Sequence, residues 1–93
     1  MAIEYRAIYH EKVVSEDITK ISKLWKSKIQ EAIETKLIYH PEVFGKPLRT
    51  SLKNYRKLRV GDYRIIFRID KEVIKIFMIG HRKDLYSLIK KRN

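Results

Sequence analysis

Lys57, Arg59, Arg64 and Arg68 punctuate the stretch KLRVGDYRIIFRI at 57–69, and His81, Arg82 and Tyr86 follow in GHRKDLY at 80–86. These residue types match the needs of RNA cleavage without a metal. A ribose 2′-hydroxyl must lose its proton, the pentavalent phosphate must have its charge stabilised, and the leaving 5′-oxygen must be protonated. Arginine offers a planar fork that fits phosphate oxygens. Histidine exchanges a proton near neutral pH. A lysine amid arginines has its charged form disfavoured, which makes Lys57 a candidate base, with Tyr86 or His81 as the acid. Each signal is weak alone, because a lone histidine is more often structural than catalytic; the combination carries the weight.

Strand parity decides whether these groups can meet. The runs 54–60 and 63–70 read as strands around a tight Gly61-Asp62 turn, and 73–80 as a third after a turn at DKE. Tyr55, Lys57 and Arg59 share one face of the first, opposite Arg56, Leu58 and Val60. On the second, Tyr63, Ile65, Phe67 and Ile69 form the core face, which leaves Arg64 and Arg68 on the open one. Lys57, Arg59, Arg64 and Arg68 are therefore expected to converge on one concave patch. Such clustering repels itself unless an anion is expected. Tyr55 and Tyr86 add aromatic faces on which an unpaired base could stack, although half-buried packing is the commoner role of a single tyrosine. Arg49, Lys53 and Arg56 complete the expected RNA-binding set.

The charge distribution agrees. The net charge is +11, yet residues 1–42 hold seven Lys/Arg against seven Asp/Glu, while residues 43–93 hold fifteen against four. A balanced half joined to a basic half fits a scaffold that presents a polyanion-binding face. With no cysteine and with His10, His40 and His81 far apart, neither a metal nor another cofactor is expected. The first ten residues alternate polar and apolar and lack a signal peptide's apolar run, and no stretch approaches a membrane span. The cationic residues lie on strands instead of lining one amphipathic helix, so membrane binding is not expected either. A cytoplasmic protein of one domain, 1–93, is the expectation.

The elements that must position the cations follow from periodicity. Residues 2–9 alternate as a strand. From about 12 to 39, Val14, Ile18, Ile21, Trp25, Ile29, Ala32, Ile33 and Leu37 keep the three-and-four spacing of a helix with one apolar face. The span is either one long helix or two packed as a hairpin, with TKISK, 19–23, the place for a break, and Ser15 is a candidate N-cap that would shorten the first segment. The segment 39–48, with both prolines and a glycine, reads as loop. The tail forms a short helix with Leu85, Leu88 and Ile89 inward. The order β-α(α)-β-β-β-α predicts an α+β fold, a mainly antiparallel four-stranded sheet with a helical hairpin on one face.

The spaced pattern GKPLR…YRKLRVGDYRIIFRI…VIKIFMIGHRKDLY over 45–86 resembles the RelE/ParE superfamily of bacterial and archaeal toxins, in particular the RelE-like branch ending in GHR-x-D-x-Y. The resemblance implies an mRNA interferase that enters the ribosomal A site and cuts the messenger with basic residues in place of a metal. It implies that Lys57 is the strand-borne catalytic lysine, Arg64 the arginine of the GYR motif, Arg82 the arginine closing the last strand and Tyr86 the C-terminal tyrosine, with Arg59 a basic position beside them. Tyr55 stands where some members carry a second lysine, and His81 replaces a lysine, so proton transfer is expected to be divided differently here. A cognate antitoxin, RelB-like, is the implied partner alongside mRNA and the ribosome with its rRNA. A ParE-like inhibitor of DNA gyrase without nuclease activity, and a non-catalytic RNA-binding module, are the competing readings.

Overall fold

β-branched and aromatic residues dominate 55–81, and there the chain doubles back twice to build the centre of a sheet. The computed structural model describes residues 4–48 and 54–92. Arg49 and Lys53, expected on the basic surface, lie outside the described residues. The order is β1 (Arg6–Tyr9), two irregular turns (Val13–Asp17 and Ile18–Lys20), α1 (Lys23–Ala32), a wide turn (Ile33–Leu37), α2 (Pro41–Phe44), β2 (Lys46–Pro47), β3 (Tyr55–Val60), β4 (Tyr63–Asp70), β5 (Val73–His81) and α3 (Leu85–Arg92).

The sheet has five strands in the order β1-β5-β4-β3-β2, and β1 runs parallel to β5 while the other pairs are antiparallel. The sheet is mainly antiparallel, as expected, but it has five strands where four were expected, and its β1 pairing is parallel. The extra strand, Lys46–Pro47, comes from the segment expected to be loop. Proline is tolerated there because this strand is an edge, where a missing N–H costs no ladder bond.

The helical span breaks inside the expected window. Ile21 is extended, at φ −102° and ψ 135°, and the Ser22 side chain accepts the Trp25 N–H at 3.4 Å to start α1. Ser22, not Ser15, is therefore the cap. Ser15 instead sits inside the Val13–Asp17 turn, whose wide geometry lets the Ile18 N–H reach the Val13 carbonyl. The helical segments supply Val13, Ile21, Ile29, Ala32, Ile33 and Leu37 to a core whose other side is Leu58, Ile65, Phe67, Ile74, Ile76 and Ile79 of the sheet.

Helices cover both faces, a second correction. Leu85 and Ile89 of α3 pack on Ile66 and Met78, with Leu88 partly buried beside them, on the face opposite the main core. The inward set Leu85, Leu88 and Ile89 is the one its spacing predicts. The last residue of α3 fastens it: Arg92 donates to both Asp17 carboxylate oxygens, at 2.7 and 2.8 Å, and to the Phe77 carbonyl at 3.0 Å. Both side chains are almost fully buried, 4% and 3% exposed, and Asp17 also accepts the Ile79 N–H at 3.0 Å.

Removing one partner of such a pair strands a buried charge. Asp17→Ala is expected to lose about 3–5 kcal/mol of stability, read as a fall in the urea midpoint, a large share of what a domain this size has.

Candidate nucleic-acid interface and active site

The Gly61-Asp62 turn organises one end of the site. Gly61 has φ +60°, and a Cβ there would run into the Trp25 ring, so glycine is needed both for conformation and for the close approach of α1. Trp25 in turn packs against Tyr63, ring centres 5.6 Å apart. With the turn pinned to the helix, its carbonyls become fixed acceptors. Arg64 Nη1 donates to the Gly61 oxygen at 2.9 Å and to the Tyr63 oxygen at 3.0 Å. The Arg82 N–H donates to the Asp62 carbonyl at 2.8 Å, and its side-chain Nε lies 3.7 Å from the Asp62 carboxylate.

Cross-strand register brings the cations of this end together. Arg59 faces Arg64 on β3 and β4, and Arg64 faces Gly80 on β5, one residue before His81 and two before Arg82. Partial burial pushes the Arg64 guanidinium below the usual arginine range, and the positive charges of Arg59 and Arg82 push it further, against a smaller opposing pull from Asp62. Arg64 therefore sits between two like charges with its Nη1 edge occupied by carbonyls. The remainder of its fork is suited to an oxyanion.

The rest of the expected patch is spread along the strands. Lys57 follows in the next row, its backbone flanked by Lys46 on β2 and Ile66 on β4. Tyr55 and Arg68 form a further row with Lys75 of β5 and Ile8 of β1. Lys57, Arg59, Arg64 and Arg68 do share one face, but four residues of strand separate Arg64 from Arg68, about 13 Å. One expected patch is thus two cationic ends with Lys57 between them. Tyr86 lies on the first turn of α3, exposed, next to the buried Leu85.

Two expected residues stand apart. Arg56 shares the face of Leu58, as its parity requires, and donates Nη1 to the Gly45 carbonyl at 3.0 Å. It ties β3 to the end of α2. His81 pairs across the sheet with Tyr63 and meets it edge to face at 5.6 Å, on the Trp25 side. Its Nδ1 accepts the Lys83 N–H at 3.2 Å, so in the neutral ring the proton rests on Nε2, which can only donate. Sequence reasoning missed Asp62, which holds Arg82, and Lys46, which stands beside Lys57. Both sit in turn or edge segments where no periodicity marks a face. Among the described residues no three His, Cys, Asp or Glu side chains gather as metal ligands, and no helix is long and apolar enough to cross a membrane.

Residues 8–86 match the family described as ParE toxin of type II toxin-antitoxin system, parDE. Toxin RelG of Mycobacterium tuberculosis is 43% identical over 44 residues, 45% of this chain and 51% of that protein. Toxin RelE of the same organism is 35% identical over 54 residues, 56% of each chain. The chain thus spans about half the length of the curated relatives it matches. The crystal structure of the toxin-antitoxin complex RelBE2 from Mycobacterium tuberculosis contains a chain of similar fold, at TM-score 0.79 and 27% identity over 86% of this chain and 100% of that one.

The Arg59–Arg64–Arg82 arrangement has a solution signature that does not depend on any reaction. Inorganic phosphate is expected to stabilise the fold by about 2.7 kcal/mol at a hundredfold excess over its dissociation constant, read as a rise in the urea midpoint. Chloride at equal ionic strength is expected to do much less, and Arg64→Gln to remove most of the phosphate effect.

Proposed function

The chain belongs to the ParE toxin family of type II toxin–antitoxin systems, and from that premise we propose that it is an mRNA interferase of the RelE-like branch, a ribosome-dependent endoribonuclease that cuts messenger in the A site and so blocks translation. The observation that carries this proposal is the register that sets Arg59 opposite Arg64 and Arg64 opposite Gly80, two residues before Arg82. Three cations drawn together, with Asp62 as the carboxylate that partly offsets them, suit a site where negative charge develops on phosphorus.

The roles follow from placement. Arg64 and Arg82 stabilise the pentavalent phosphate, Arg59 adds charge, and Lys57 one row away takes the 2′-hydroxyl proton. Tyr86, on the first turn of α3, or His81 in its imidazolium form returns a proton to the leaving oxygen. The charge stabilisation that a metal supplies in other nucleases is assigned here to arginines, in one RelE-like domain acting in the cytoplasm.

A cognate, RelB-like antitoxin is the proposed partner. The RelBE2 chain of similar fold was solved as a toxin-antitoxin complex. On this chain Val14, Leu24 and Val43 are 60%, 63% and 73% exposed, apolar surface that a wrapping partner would cover. The net charge of +11 favours an acidic one. A second reading, inhibition of DNA gyrase without RNA cleavage, is favoured by the ParE description of the matching family.

Primer extension on a messenger held on translating ribosomes, beside the same RNA free in solution, separates them. New 3′ ends are expected on the ribosome-bound message, and Arg82→Ala is expected to lower cleavage by about a hundredfold or more. RNA binding should weaken far less, by the loss of one phosphate contact. An intact message with folded, antitoxin-free protein would overturn the nuclease proposal, and inhibition of gyrase supercoiling by the same sample would establish the second reading.

A further inference from the structure

The opposite end of the cationic face holds a group of residues that the cleavage chemistry does not use. Between Ile66 and Phe67 the β4–β5 register slips, so that Ile66 faces Met78 while Phe67 faces Ile76. Phe77 is left without a partner, and both Phe77 and Met78 point to the face of Lys57 and Arg68, where they pack in the α3 cluster. Bulges commonly re-aim a side chain in this way. The Phe77 ring meets Tyr55 at 5.2 Å and His10, edge to face, at 5.6 Å.

This aromatic row borders a cavity of about 260 Å³ whose lining includes Ile8, His10, Tyr55, Arg68, Lys75 and Phe77. The Arg68 guanidinium lies 5.9 Å from the centre of the Tyr55 ring, and its Nε is buried without a hydrogen-bond partner among the described residues. The nearby carboxylate of Asp70 is bonded to Lys75 instead, at 3.1 Å. His10 accepts the Lys12 N–H on Nδ1 at 3.0 Å, which leaves Nε2 as its donor. Aromatic faces, two cations and a partly open cavity on one row of a sheet are what a stacked base with its phosphate needs. Ordinary packing would account for the rings but not for the cavity or for a buried guanidinium nitrogen left without an acceptor.

We propose that the His10–Phe77–Tyr55 row, with Arg68 and Lys75, is a second nucleotide subsite: it stacks one base of single-stranded RNA and binds its phosphate, presupposing the RNA-cutting role proposed above. Arg68 is about 13 Å along β4 from Arg64, so the base held here lies outside the nucleotide pair at the cut. The subsite sets the register of the message on the cutting end and selects for an unpaired strand.

Binding of fluorescent, fully 2′-O-methylated oligoadenylates, which cannot be cut, tests this with the full chain at fixed salt. The wild-type protein is expected to prefer a pentanucleotide strongly over a dinucleotide. Arg68→Gln and Phe77→Leu should each weaken the pentanucleotide about tenfold while leaving the dinucleotide within twofold, which also shows that the variants are folded. Arg64→Gln should weaken both lengths. No preference for the longer oligomer, or equal losses at both lengths in Arg68→Gln and Phe77→Leu, would overturn the subsite. The result is separable from the cleavage experiment: an uncut message with the length preference intact removes the nuclease and keeps the subsite, whereas a cut message without the preference does the reverse.

Discussion

Beyond Ile76, strand β5 has no neighbour on one side, because β1 ends where Tyr9 pairs with Ile76. The backbone groups left open there must be met, and a single ion pair does so. Asp17 takes the Ile79 N–H, Arg92 takes the Phe77 carbonyl, and the two side chains close on each other. Three distant parts of the chain are joined at one point: the turn after β1, the sheet, and the last residue of α3. Measured against an apolar substitute, a buried pair of this kind adds little net stability because both charges lose water. Its geometry is nevertheless demanding, with two parallel N–H···O bonds, and that geometry determines where α3 lies. Since Tyr86 is on α3 and Arg82 leaves the end of β5, the Arg59–Arg64–Arg82 end of the sheet inherits its shape from a contact buried elsewhere.

The cations at that end work against the fold. Arg59, Arg64 and Arg82 repel one another, and Asp62 is the carboxylate that offsets them. The strands hold them because each alternates a cation with a core residue: Leu58 beside Arg59, Ile65 beside Arg64, Phe67 beside Arg68. Burying each such side chain stabilises by roughly 1.5–3 kcal/mol, more than partly exposed like charges cost at a protein surface. The repulsion left over is the site's affinity for an anion before the anion arrives.

Periodicity in the sequence was enough for much of this. Alternation located β3, β4 and β5 and put Lys57, Arg59, Arg64 and Arg68 on one face; the spacing of apolar residues located α1 and the inward side of α3; and the break near Ile21 fell where TKISK weakens the helical pattern. What escaped has physical reasons. A two-residue strand such as Lys46–Pro47 carries no period. Ser15 and Ser22 are both serines before helical sequence, and only the extended backbone at Ile21 decides between them. His81 follows Gly80 by one residue, and that single step of parity moves it to the Tyr63 side. The Asp17–Arg92 pair spans 75 residues, a separation at which no local pattern exists.

The bulge at Phe77 was equally invisible, because Phe77 and Met78 are both apolar and either could face either way. Its consequence reaches both halves of the molecule. The slip leaves the Phe77 carbonyl to Arg92 and sets Met78 on the same face as the Phe77 ring, which alternation from Lys75 already places on the cationic face. A strict alternation through β5 would put Met78 back under the helices and turn Ile79, now in the main core, toward α3. The irregularity therefore determines that Met78 meets Leu85 and Ile89 of the C-terminal helix, beside the aromatic ring that alternation already places next to Tyr55.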